Sequence, residues 1–238
     1  MKNLVGSLFI LFFIFFALSI FISCSDSVET NDPDDPYVSL NVGDERQIVF
    51  TSDSSTISYT VSGTTNRSDG LKVYSYDWYY GTDTIPSISY YGIKDGYFIA
   101  TELDSVKDTL NYIPSNPYRE QRLAKLYPVD GDVWQSILGD STSNFFTAKN
   151  IGSQNTYAGT FNNCFSFKLS YFLSVNYAKG IGHISSVFLP DSSSYLSSYI
   201  KVNNKIYGSK MPAKDPVLSG NDYREKIIEL FSFLLGKQ

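Results

Sequence analysis

Alternation with a period of two runs through most of this chain and limits its fold more than any other feature. In Thr56-Ile57-Ser58-Tyr59-Thr60-Val61-Ser62 and in Asn163-Cys164-Phe165-Ser166-Phe167-Lys168-Leu169, apolar residues fall at every second position. Successive side chains of a β-strand point to opposite faces, so these segments read as half-buried strands. The same pattern predicts strands over 38–42, 47–51, 71–80, 97–102, 133–138, 145–149 and 184–189. Residues 199–207 read as a hairpin about Asn203-Asn204, because asparagine tolerates the positive φ of a tight turn. One helix is expected, over 222–235. Asp222 caps it, Glu225 reaches back from three residues later, and Tyr223, Ile227, Ile228, Phe231, Leu234 and Leu235 share a stripe. The expected fold class is mostly β, with this amphipathic helix packed across a sheet.

A second regularity is internal. Val42-Gly43-Asp44 recurs as Asp130-Gly131-Asp132, Gly70 as Gly159, and Tyr90-Tyr91-Gly92-Ile93-Lys94-Asp95-Gly96 as Asn176-Tyr177-Ala178-Lys179-Gly180-Ile181-Gly182, at offsets of 88, 89 and 86 residues. A near-constant offset is the mark of a structural repeat, here about 37–113 and 121–208. The second copy carries Tyr127-Pro128-Val129-Asp130-Gly131-Asp132-Val133-Trp134, then Ala158-Gly159-Thr160-Phe161-Asn162-Asn163-Cys164, then Tyr177 to Gly182. These strings resemble a group of bacterial secreted proteins and lipoproteins whose curved sheets are similar in shape to the half-barrels of periplasmic lipoprotein carriers. The resemblance implies a curved antiparallel sheet, half-barrel-like, made from two pseudo-repeats; it brings no catalytic residue with it. The first copy departs from the pattern, since Arg46 stands where Trp134 stands in the second and no cysteine matches Cys164. If the repeat is real, 42–96 and 130–182 share a strand order. A ligand cavity is then expected between helix and sheet, lined by aromatic residues with few charges.

The N-terminus speaks about address. Lys2 is followed by an uncharged run from Leu4 to Ile22, long enough for a signal peptide or a membrane anchor. The run ends Phe21-Ile22-Ser23-Cys24-Ser25, which resembles the bacterial lipobox, although Phe21 and Ile22 replace the usual leucine and small residue. That resemblance implies cleavage after residue 23 and acylation at Cys24. Two or three acyl chains anchor a protein stably to a membrane, and the scarcity of early basic residues exports the domain. Within 24–36, the twelve residues after Cys24 have five acidic and no basic side chains, a composition expected to stay disordered as a tether of at most about 40 Å. An acidic stretch behind the lipidated cysteine also resembles the surface-export signal of Bacteroidetes lipoproteins. The expected location is the outer membrane, lipid-anchored, on its periplasmic side or at the cell surface. The mature domain is 37–238.

Several chemistries lack their residues. With 19 basic and 24 acidic residues and no basic cluster, the chain is not suited to nucleic acid. His183 is the only histidine, so a histidine-rich metal site is excluded and a Cys-His pair would need Cys164, which is expected to be a buried, unpaired thiol. No nucleophile elbow, phosphate loop or complete dinucleotide fingerprint occurs, and no cofactor is expected. Asp130, Asp132 and Asp140 lie close in sequence but lack the order of a calcium loop and read as turn residues. Nothing singles out a carboxylate pair. Aromatic content is high, and Tyr74, Tyr76, Trp78 and Tyr80 fall on one face of a predicted strand, either as ligand-facing residues or as core. Five strings, among them Asp83-Thr84-Ile85, resemble Bacteroidetes O-glycosylation sites. The expected function is a non-enzymatic cell-envelope lipoprotein binding a hydrophobic or amphiphilic ligand on its curved sheet. The alternative is a surface-exposed module that binds glycan or protein through its tyrosines.

Overall fold

The computed structural model describes residues 27–28, 34–103, 118, 120–137, 144–170, 172–190 and 192–216. The signal segment, Cys24 and the expected helix over 222–235 lie outside the described residues. Within them, fourteen strands form one sheet and there is no helix. β1 (Ser27–Val28) lies parallel to β10. β2 (Glu45–Phe50), β3 (Thr56–Asn66), β4 (Lys72–Tyr80), β5 (Ser87–Lys94), β6 (Tyr97–Thr101) and β7 (Gln121–Lys125) form an antiparallel meander, each strand beside the next. β8 (Val133–Gln135), β9 (Phe145–Thr156), β10 (Gly159–Leu169), β11 (Leu173–Ala178), β12 (Gly182–Phe188) and β13 (Ser194–Val202) form a second meander of six. β14 (Lys205–Gly208) returns along β13 through Asn203 and Asn204, which have φ of 51° and 63°.

The two meanders have the same strand order and open on the same turn. Asp44 Oδ2 accepts from Asn41 N at 3.1 Å and Asp132 Oδ2 from Val129 N at 2.8 Å. Gly43 N donates to Val61 O at 2.8 Å and Gly131 N to Ala148 O at 2.9 Å. Both glycines are left-handed, with φ of 92° and 84°. The repeated Gly-Asp therefore marks one aspartate-capped turn, used twice to start a meander. Asp130 Oδ1 likewise accepts from Asn150 N, so the acids of this region serve turns.

β2 and β13 pair antiparallel, from Tyr195 opposite Phe50 to Lys201 opposite Glu45, and join the meanders into one twelve-strand path. The sheet curls until its two ends meet. Arg122 N, on β7, donates to Ser136 O beyond β8 at 2.7 Å, and Gln121 Nε2 reaches Ser136 Oγ at 3.0 Å. The result is an antiparallel, nearly closed barrel-like sheet, rounder than the expected half-barrel. Curling buries the inward rows of both meanders against each other and leaves little bare strand edge. Phe50, Phe146, Phe167, Leu169 and Leu173 are fully buried in this interior core. A smaller core lies apart from it, where Phe161, Cys164, Ile181, Ile184 and Ile200 pack together. The long β9–β10 hairpin bulges at Cys164 and brings Ala158 N to Ser197 O at 2.8 Å and the Phe161 ring to within 5.8 Å of Tyr207.

The segment 38–42, expected as a strand, is not one. Tyr37, Val38 and Leu40 are buried in the interior core, yet Tyr37 N bonds to Leu126 O and Pro36 O accepts from Gly180 N. The chain here runs from the end of β7 to the β11–β12 turn. Alternation identified Val38 and Leu40 as inward, though Val42 is exposed, and carried no information about whether a neighbouring strand was there to pair with.

Candidate functional site

The inward row of β2 begins at Arg46 and continues with Ile48 and Phe50. Cross-strand partners extend it sideways: Arg46 faces Tyr59 on β3, and Tyr59 faces Trp78 on β4. Tyr76, Tyr91 and Phe98 carry the row across β4, β5 and β6, while Tyr177 and Tyr195 close it from the other meander. The rings pack edge to face, tilted or stacked, with centroids 4.5 Å apart for both Tyr59–Trp78 and Tyr76–Tyr91. Such pairs add about 0.5–1.5 kcal/mol each beyond the area they bury.

Between these rings lies a cavity of about 100 Å³, walled by strands of both meanders. The sequence placed such a cavity between helix and sheet; this one lies inside the curl of the sheet. Among the described residues its lining is aromatic and aliphatic except for Ser39, Arg46, Gly182, His183 and Ser186, and includes no carboxylate. Burial holds the phenols of Tyr76, Tyr91 and Tyr177 well above their ordinary range, so they remain neutral.

Arg46 is 3% exposed. One terminal nitrogen donates to Tyr59 Oη at 3.2 Å and the other to Ile181 O. Nε has no hydrogen-bond partner, and among the described residues no carboxylate forms an ion pair with this guanidinium. The nearby acid, Asp44, is occupied by Ser39 Oγ, Asn41 N and Asn203 N. Room for the guanidinium comes from Gly182, whose φ is 99° and where a Cβ would lie 2.6 Å from the Arg46 terminal nitrogen. His183 stands beside it, its Nε2 2.8 Å from Ser186 Oγ. Burial, then the charge of Arg46, lower its pKa to about 3, and the imidazole is neutral.

Of the aromatic stripe expected from the sequence, Tyr76 and Trp78 line the cavity. Tyr74 and Tyr80 are partly buried and pack on the same core without reaching it. Arg46 and His183, its polar end, were not singled out as binding residues by the sequence. The available signal was the mismatch between Arg46 and Trp134 in the internal repeat. Cys164 and His183 are not brought together, since Cys164 lies in the smaller core and His183 on the cavity. The arrangement offers an apolar container with one fixed cation and, beside it, the Ser186 hydroxyl hydrogen-bonded to the neutral His183.

Fold and site define a nearly closed antiparallel barrel with an aromatic lumen. No family model matches the chain, and no curated protein does. Among solved structures, the 2.70 Å crystal structure of a protein assigned as a lipoprotein from Parabacteroides distasonis ATCC 8503 matches 74% of this chain and 100% of its own. The identity is 12% and the TM-score 0.36, a likeness too slight to argue from.

Proposed function

We propose that this protein is a non-enzymatic lipoprotein of the cell envelope, anchored to the outer membrane through Cys24, that holds the apolar part of an amphiphile in the lumen of its barrel. The observation that carries the ligand reading is the cavity itself: an unfilled space of about 100 Å³ amid aromatic rings contributed by both meanders. Close-packed interiors keep few such voids, because each forfeits contacts. The volume is below the roughly 150 Å³ of a cavity that takes benzene, so it has room for only a short stretch of an alkyl chain. The glycan-binding alternative finds less support, since Tyr76 and Trp78 are turned inward and buried. Tryptophan fluorescence tests the reading. A short chain brominated at its end, given as methyl 6-bromohexanoate, should quench tryptophan fluorescence saturably. A linear, unsaturable response would overturn it. The address is tested separately: Cys24→Ser should abolish acylation and release the protein from membranes, and unchanged membrane attachment would refute the anchor.

A further inference from the structure

We infer that the ligand of the lumen is an anionic amphiphile whose carboxylate seats on Arg46 while its chain lies among the aromatic rings. The inference rests on the ligand-binding reading above and specifies the ligand's head.

A guanidinium has five N–H donors, and Tyr59 and Ile181 each engage one nitrogen of Arg46. Nε, buried and without a partner, belongs to a side chain that lines the cavity. A cation withdrawn from water needs a counter-charge, and although Asp44 acts on Arg46 through space, its oxygens are bonded to Ser39, Asn41 and Asn203 and it forms no ion pair with the guanidinium. The fold does not require a cation at this place. The second meander is an internal control: Trp134 occupies the equivalent position, opposite Phe146 as Arg46 is opposite Tyr59. There the site is filled by stacking, with Trp134 and Phe146 centroids 5.4 Å apart at 13°. One copy fills the position with a ring and closes it; the other leaves a void beside a charge.

The charge count and the space identify the head. His183 is neutral and no acid among the described residues lines the cavity, so the cavity wall carries a single positive charge, Asp44 being bonded elsewhere. One carboxylate neutralises it, whereas a dianionic phosphate would leave an uncompensated charge among tyrosines. The planar fork of a guanidinium suits a carboxylate's two oxygens, with Nε–H and a free terminal N–H as the donors. Tyr59, already bonded to Arg46, holds the fork in place.

The test compares 6-bromohexanoic acid, as its carboxylate, with its methyl ester, read by quenching of tryptophan fluorescence in the full chain. The acid should bind wild type at least about tenfold more tightly than the ester, the scale of a charge-assisted bond. Arg46→Gln should bring the acid to the affinity of the ester. Equal binding of acid and ester by wild type would overturn the inference and leave the binding reading intact; this arm needs no variant, so a folding defect in Arg46→Gln cannot obscure it. Binding of neither would overturn both. A preference that persists in Arg46→Gln would place the head elsewhere.

Discussion

At the scale of single residues, the buried polar groups of the lumen tie stability to pH. His183 is held neutral, with a pKa of about 3 against 6.5 in an unfolded chain, first by burial and then by Arg46. Between those values the unfolded chain binds a proton that the folded one refuses, so stability falls as pH drops through that window. The loss at pH 5 should be about 2 kcal/mol. Urea unfolding of wild type and His183→Gln at pH 7 and 5 checks this, the variant having the flatter response. Asp69, lowered to about 2 chiefly by its hydrogen bond to Arg67, contributes stability above its unfolded pKa that is lost only at lower pH, which keeps the two effects apart. Burial pushes the Cys164 thiol to about 12, so native protein should resist a thiol reagent that labels it once unfolded. Rapid labelling of the native state would contradict its placement in the smaller core. Tyr76 and Trp78 were legible because period two fixes the face of a strand. Arg46 was not, because the expected strand began at residue 47 and left it outside, although it shares a face with Ile48 and Phe50.

At the scale of elements, the signals read well where chemistry forces a backbone state and poorly where pairing does. Asn203-Asn204 announced the β13–β14 turn, and both residues take positive φ. Asn204→Val should cost about 1–2 kcal/mol, because a β-branched residue is penalised in the left-handed region. Asn204→Gly should cost little, and chemical denaturation of the pair distinguishes the turn's demand for φ from a demand for the amide. By contrast, β9 was expected to stop near 149 but continues to Thr156, through the polar stretch Asn150–Thr156. It continues because β10 supplies partners as far as Gly159 opposite Thr156. β5, β7 and β11 were missed for the same reason. β5 and β11 are made strands by neighbours on both sides and β7 by β6, information that a local window does not hold.

At the scale of the molecule, neither meander can bury its aromatic face alone. The rings of Tyr59, Tyr76 and Trp78 on one side meet Phe146, Phe167 and Tyr177 on the other in a single core. Residues 37–126 expressed alone should therefore self-associate in size-exclusion chromatography, exposing an apolar area larger than monomers tolerate. A stable monomer would mean that each half has a core of its own. The repeat made the two-part plan readable, since glycine turns at equal spacing leave a trace in sequence. Closure left none, because it depends on β2 and β13, whose partners Phe50 and Tyr195 are 145 residues apart. That pairing imposes an order in time. Every other ladder of the two meanders joins strands adjacent along the chain, and such contacts form early because little entropy is lost in closing short loops. A chain emerging N-terminus first must hold β2 with a bare edge until 194–202 arrives, and only then can the aromatic rows shut out water. The slowest step in making this barrel is thus assigned to the meeting of its earliest and latest strands.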